Sequence, residues 1–145
     1  MSLQPSAAEL LLHLDVIDGL RRAYEESGVG TDHPVEQGGF ILCDPDTATF
    51  VLVRLPAGGQ ASLVFPLRVD GTFQGKQIVG SFHTHPNTGL EWQQEPSPQD
   101  IRLSQDYPET MGQHQFVIAK DTMYHIDNDG EVTILGSTPQ LLELG

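Results

Sequence analysis

Apolar residues recur at three- and four-residue intervals near the start of the chain: Leu10, Leu14, Ile17, Leu20 and Tyr24. That period predicts one amphipathic helix over residues 7–27, opened by Ser6 as N-cap and closed at Gly28. After a turn-like stretch the pattern changes. Residues 35–43 predict a strand, Asp44-Pro45-Asp46-Thr47 a turn and residues 49–55 the returning strand of a hairpin. Residues 62–69 predict a further strand, weakened by Pro66, and Asp70-Gly71 and Gln74-Gly75 mark turns before a buried strand over 77–82. Ser97-Pro98-Gln99-Asp100 is a helix start, with serine at the cap, proline in the first turn and an acid three residues on. That helix runs to about Asp106, where Tyr107-Pro108 stops it. Strands over 115–119 and 123–126, a turn at Asp127-Asn128-Asp129-Gly130, a strand over 131–135 and a short helix over 140–144 complete the chain.

Helix, strands, helix, strands without regular alternation argues for an α+β fold with a mixed, mostly antiparallel sheet. At 145 residues the chain reads as a single domain, 1–145, with a moderate 38% of hydrophobic residues. Twenty acidic residues against seven basic ones give a net charge of −13, which repels phosphate backbones and argues against nucleic acid as partner. No stretch has the length of a membrane span or the pattern of a signal peptide, so no membrane partner and a cytoplasmic location are the expectation. The single cysteine, Cys43, excludes an intrachain disulfide and a cysteine-rich metal cluster.

The candidate chemistry lies at Phe82-His83-Thr84-His85-Pro86. Side chains alternate along a strand, so His83 and His85 point to one face, and Pro86 ends the strand just beyond them. Two imidazoles side by side at a strand end make a poor core filling and a good pair of metal ligands. Asp100, in the first turn of the following helix, is the candidate third ligand. Two neutral imidazoles and one carboxylate leave a zinc ion net positive, which lowers the pKa of its bound water toward ~7. Glu36, an acid beside Gly38-Gly39 at the start of an apolar strand, is the candidate general base, and those glycines would let backbone pack close to the metal. Ser97 is a candidate donor to the oxyanion of a tetrahedral intermediate.

Taken together, Glu36, His83-Thr84-His85-Pro86 and Ser97-Pro98-Gln99-Asp100 resemble the motif of the JAMM (MPN+) zinc metallopeptidase family, in its small prokaryotic stand-alone form. The context Glu36-Gln37-Gly38-Gly39-Phe40-Ile41-Leu42 is similar to that family's first motif strand, and the resemblance spans roughly residues 8–136. It implies an α/β/α-type sandwich with a curved sheet flanked by helices, a cytidine-deaminase-like arrangement. It implies one Zn2+ per chain held by His83, His85 and Asp100, with Glu36 as acid/base and Ser97 as oxyanion support. The implied activity is hydrolysis, by zinc-bound water, of the bond after the flexible C-terminal tail of a ubiquitin-like or sulfur-carrier protein. The alternatives are a catalytically silent interaction module of the same fold, or a metal hydrolase of another substrate class.

Each motif also has a plainer reading. Ser97 and Asp100 form an ordinary capping box, which is compatible with metal ligation. His13, His33, His114 and His125 read as surface or structural histidines, and Cys43 as a small core residue. Asp127-Asn128-Asp129-Gly130-Glu131 lacks the full calcium-binding loop and reads as a hairpin turn. Trp92 reads either as a substrate contact or as the anchor of its own loop, residues 87–95.

Overall fold

The computed structural model describes residues 4–44, 46–56, 65–87 and 94–144. In chain order they form α1 (Ala7–Leu12), α2 (Leu14–Glu26), β1 (Gly38–Asp44), β2 (Thr49–Arg54), β3 (Thr72–Phe73) and β4 (Lys76–His85). There follow α3 (Pro98–Asp106), α4 (Pro108–Met111), β5 (His114–Ala119), β6 (Thr122–Ile126), β7 (Val132–Ser137) and α5 (Thr138–Leu141). The strands make one sheet in the order β2-β1-β4-β5-β6-β7, with β3 paired to β4. Among the described residues β4 and β5 are the one parallel pair; the others run antiparallel. A parallel pair needs a crossover, and the segment carrying α3 and α4 supplies it. This α+β arrangement with a mixed, mostly antiparallel sheet is the one that the residue pattern predicts.

Strand alternation divides the sheet into two faces. One face carries Ile41, Cys43, Val79, Phe82, Phe116, Ile118 and Met123, packed against Leu10, Val16, Leu20, Ala23 and Leu142 from the terminal helices. The other carries Phe40, Leu42 and Ile78, joined by Leu55, Phe65 and Phe73. Gln115 alternates with Phe116 and bonds α3, so α3 stands on this second face. Helices therefore cover both sides of the sheet. A bulge opposite Ile41 and Leu42 of β1 lets Ile78 share the second face with Ser81, His83 and His85. Gly112, at φ 75°, ends α4 where an added Cβ would lie 2.6 Å from the Gly80 backbone nitrogen, so the crossover can press onto β4 only as glycine.

Three differences from the predicted elements bear on the packing. The first helix is broken at His13, whose backbone is extended (φ −83°, ψ 127°) and whose ring packs edge-on to Phe50 at 4.5 Å. On a continuous helix Leu10 and Val16 would lie roughly 120° apart. The break lets both be buried, and leaves Leu14 of the predicted stripe 75% exposed. The strand predicted over 62–69 is absent from its described part. Pro66 has no N–H to give a ladder, and Arg68 instead donates its N–H to Thr110 Oγ1 at 2.8 Å while Phe65 packs on Phe40. Pro108 ends one helix and starts another, since its fixed φ suits a first turn. No helix among the described residues is long and apolar enough to cross a membrane.

Candidate metal centre

His83 and His85 stand at the carboxyl end of β4, on one face as their spacing requires. The crossover returns the start of α3 to the same end of the sheet. Ser97 caps that helix: its Oγ accepts from Asp100 N–H at 3.1 Å, while Asp100 Oδ2 accepts from Ser97 N–H at 2.8 Å. This reciprocal cap fixes the Asp100 carboxylate, whose Oδ1 lies 3.3 Å from His83 Nε2 and whose Oδ2 lies 3.3 Å from His85 Nε2. The two Nε2 atoms are 3.2 Å apart. One ligand atom from each of the three side chains fits within 4.8 Å of the others. His83 is buried and the other two nearly so.

His85 Nδ1 lies 3.1 Å from the main-chain oxygen of Gln94, which can only accept, so Nδ1 carries a hydrogen. The neutral ring then turns the lone pair of Nε2 toward His83 and Asp100. Electron-rich atoms meet there, and a proton or a cation must lie among them. In the metal-free protein it is a proton. Burial, the largest single influence, would lower the His85 pKa, but the Asp100 carboxylate, the Gln94 carbonyl and Glu36 together raise it above the usual 6.5. Burial alone would raise Asp100, yet bonds from His83, His85 and the Ser97 N–H hold it well below the ordinary carboxylate range. A metal ion satisfies the same atoms without those protons, with the nitrogen and oxygen donors that zinc accepts.

Glu36 precedes β1 in a half-buried segment without regular secondary structure. It is close enough to the centre for His83, His85 and Asp100 all to act on its carboxyl; burial, the largest influence, leaves its pKa raised above the ordinary value. Thr84, fully buried between the two histidines, places this segment. Its N–H donates to Gln37 C=O at 2.9 Å and its Oγ1 accepts from Gln37 N–H at 3.0 Å. Gly38 pairs with His83 across the sheet, but Gly39 has a different purpose from the one its position suggests. A Cβ on Gly39 would collide with the Val53 carbonyl of β2, so its small size serves strand pairing. Ser97 uses an acceptor lone pair for its cap, which leaves its O–H hydrogen able to donate.

The structure thus brings His83, His85 and Asp100 into contact, with Glu36 within electrostatic reach and Ser97 at the cap. It adds Gln94, whose carbonyl orients His85, and Gln115, whose amide bonds α3. Neither carries a motif signal, because one acts through a main-chain oxygen that any residue has and the other through an amide on a separate strand. Residues 88–93, including Trp92, lie outside the described residues. His114 and His125 pair with each other at 2.7 Å, and His114 Nε2 bonds the Pro5 carbonyl at 2.7 Å, which ties the start of the chain to the sheet. Asp127 Oδ1 accepts from the N–H groups of Asp129 and Glu131, as a hairpin turn requires. Cys43 is buried in the core and His33 is exposed.

No family model matches this chain, and no curated protein matches it.

Proposed function

We propose that this protein is a zinc-dependent peptidase or isopeptidase, acting on the bond that follows the flexible C-terminal tail of a ubiquitin-like or sulfur-carrier protein. The observation that carries this reading is the convergence of His83 Nε2, His85 Nε2 and the Asp100 carboxylate within 4.8 Å, with the half-buried Glu36 close enough to feel all three. The substrate class rests on the likeness of the combined motif to that of the JAMM family.

His83, His85 and Asp100 would hold the zinc, with the Gln94 carbonyl fixing the ring of His85. A bound zinc supplies Lewis acidity, which polarises a carbonyl and acidifies water. Glu36 takes the proton from the attacking water and returns it to the leaving nitrogen as the C–N bond breaks. Its raised pKa suits both steps, since a base that must also act as an acid works best near the ambient pH. The Ser97 hydroxyl donates to the oxygen that gains negative charge in the tetrahedral intermediate.

Protein purified without chelator, analysed for metal and incubated with fusions of small β-grasp proteins carrying extended C-termini, tests this reading. About one zinc per chain and cleavage after the tail are expected for the wild type. Glu36→Ala is expected to keep the metal and lose cleavage, because the base is not one of the three ligands. Wild-type protein that takes up no zinc, or full cleavage by Glu36→Ala, overturns it.

A further inference from the structure

Gln115 is a fully buried glutamine at a strand position whose sequence neighbours, Phe116 and Val117, are apolar and equally buried. Its amide nitrogen donates to the main-chain oxygen of Asp100 at 2.9 Å and to Ser104 Oγ at 2.6 Å. The orientation of the amide is fixed by chemistry, because the Asp100 carbonyl can only accept. Both hydrogens are therefore spent on one helix, at two points one turn apart. The other end of the amide, Oε1, is buried without a hydrogen-bond partner among the described residues. Burying an unpaired carbonyl is unfavourable, and an apolar side chain of similar length would avoid it. What an apolar side chain cannot do is hold the Asp100 carbonyl.

We infer that Gln115 is the positioning residue of the metal centre: it fastens the first turns of α3 to β5 and so sets the Asp100 carboxylate against the two histidines of the adjacent β4. The two strands form one rigid frame, with Ser81 paired to Gln115 and His83 to Val117. The capping box orients the carboxylate relative to its own helix, and Gln115 orients that helix relative to the sheet. Ser104, itself fully buried, is the second anchor of the same strut. This inference rests on the metal reading, since Asp100 matters here as a ligand.

The test is Gln115→Met, which keeps length and loses both donors, alongside Ser104→Ala, which removes one anchor, and Val16→Ala, which trims the core on the opposite face. Zinc affinity is measured by chelator competition well below each Tm, and hydrogen exchange of the α3 amides is followed in the metal-free proteins. Gln115→Met is expected to weaken zinc binding by about ten- to a hundred-fold, the usual effect of losing an outer partner of a ligand. It is also expected to speed exchange across α3. Ser104→Ala should show a smaller change of the same kind and serves where Gln115→Met does not fold. Val16→Ala should lower Tm and leave affinity and α3 exchange as in the wild type. Folded variants with wild-type affinity or with unchanged α3 exchange overturn the inference. A wild type that binds no zinc, with α3 exchange still faster in Gln115→Met, overturns the metal reading and leaves Gln115 only the helix anchor.

Discussion

Thr84 and Gln37 exchange two hydrogen bonds, and one of them runs through the threonine hydroxyl where a regular antiparallel ladder would use the Thr84 carbonyl. The side chain thus takes over from the backbone at the point where the chain bearing Glu36 leaves the sheet. Regular pairing resumes one residue later, at Gly38 and His83. The residue between His83 and His85 is in this way the residue that holds the segment bearing Glu36.

Thr84→Val keeps the shape of the side chain and leaves the Gln37 N–H buried without its acceptor. The expected cost is about 1–3 kcal/mol, read as a lower Tm or denaturation midpoint. Zinc content should be unchanged, since neither histidine moves, whereas turnover should fall because Glu36 loses its tether. Thr84→Ser restores the hydroxyl and should recover most of both. A valine variant as stable and active as the wild type would remove Thr84 from this role.

Zinc uptake should displace a proton from His85. Its pKa is raised above 6.5 in the metal-free protein, so the ring is increasingly protonated as pH falls through that range and must lose the proton to bind. Apparent affinity should weaken by roughly tenfold per pH unit once the ring is protonated. Asp100, held ionised well below the ordinary range, adds nothing to this dependence near neutrality. Calorimetry in buffers of different ionisation enthalpy would report the released proton; a pH-independent affinity between about 5 and 7 would contradict the assignment.

The pair of His114 and His125 should make the fold acid-sensitive. Burial, the largest cause, with the neighbouring His114, lowers His125 to about 4, and burial also lowers His114. A depressed histidine favours the folded state most above its unfolded pKa of 6.5. That advantage is lost as pH falls from about 6.5 toward 4, because the unfolded chain takes up protons first. Discounted for partial exposure, the loss should be ~1–2 kcal/mol for the pair. His125→Leu should flatten this part of the stability profile, whatever it does to the absolute Tm.

The convergence of His83, His85 and Asp100 was legible in the sequence because each placement depends on local geometry. Strand alternation puts His83 and His85 on one face, and the Ser97 cap places Asp100 in the first turn of a helix. What supports them was not legible. Gln94 acts through its main chain and Gln115 from a neighbouring strand, and no periodicity marks a carbonyl that orients a ring or an amide that anchors a helix. The same holds for His114 and His125, which look isolated along the chain and meet only because β5 and β6 are neighbours in the sheet. The stripe that includes Leu14 failed for a related reason. Burial of both Leu10 and Val16 outweighed the few hydrogen bonds lost in breaking the helix at His13, a tertiary effect that helical period alone does not contain.

Ser97 caps α3, and substitution can separate that cap from the oxyanion role proposed for its hydroxyl. Its oxygen accepts from Asp100 N–H and its hydrogen is available to a substrate oxyanion. Ser97→Ala loses both, and should cost about 1 kcal/mol of stability together with a large part of turnover. Ser97→Asp offers a good capping oxygen without a hydrogen to donate, so stability should return toward that of the wild type while turnover stays low by ~100-fold or more. Ser97→Thr keeps both and should restore both. Thermal melts and initial rates on one cleavable tail fusion would decide the matter: if Ser97→Asp cleaves at the wild-type rate, the hydroxyl is a helix cap and the oxyanion is stabilised without it.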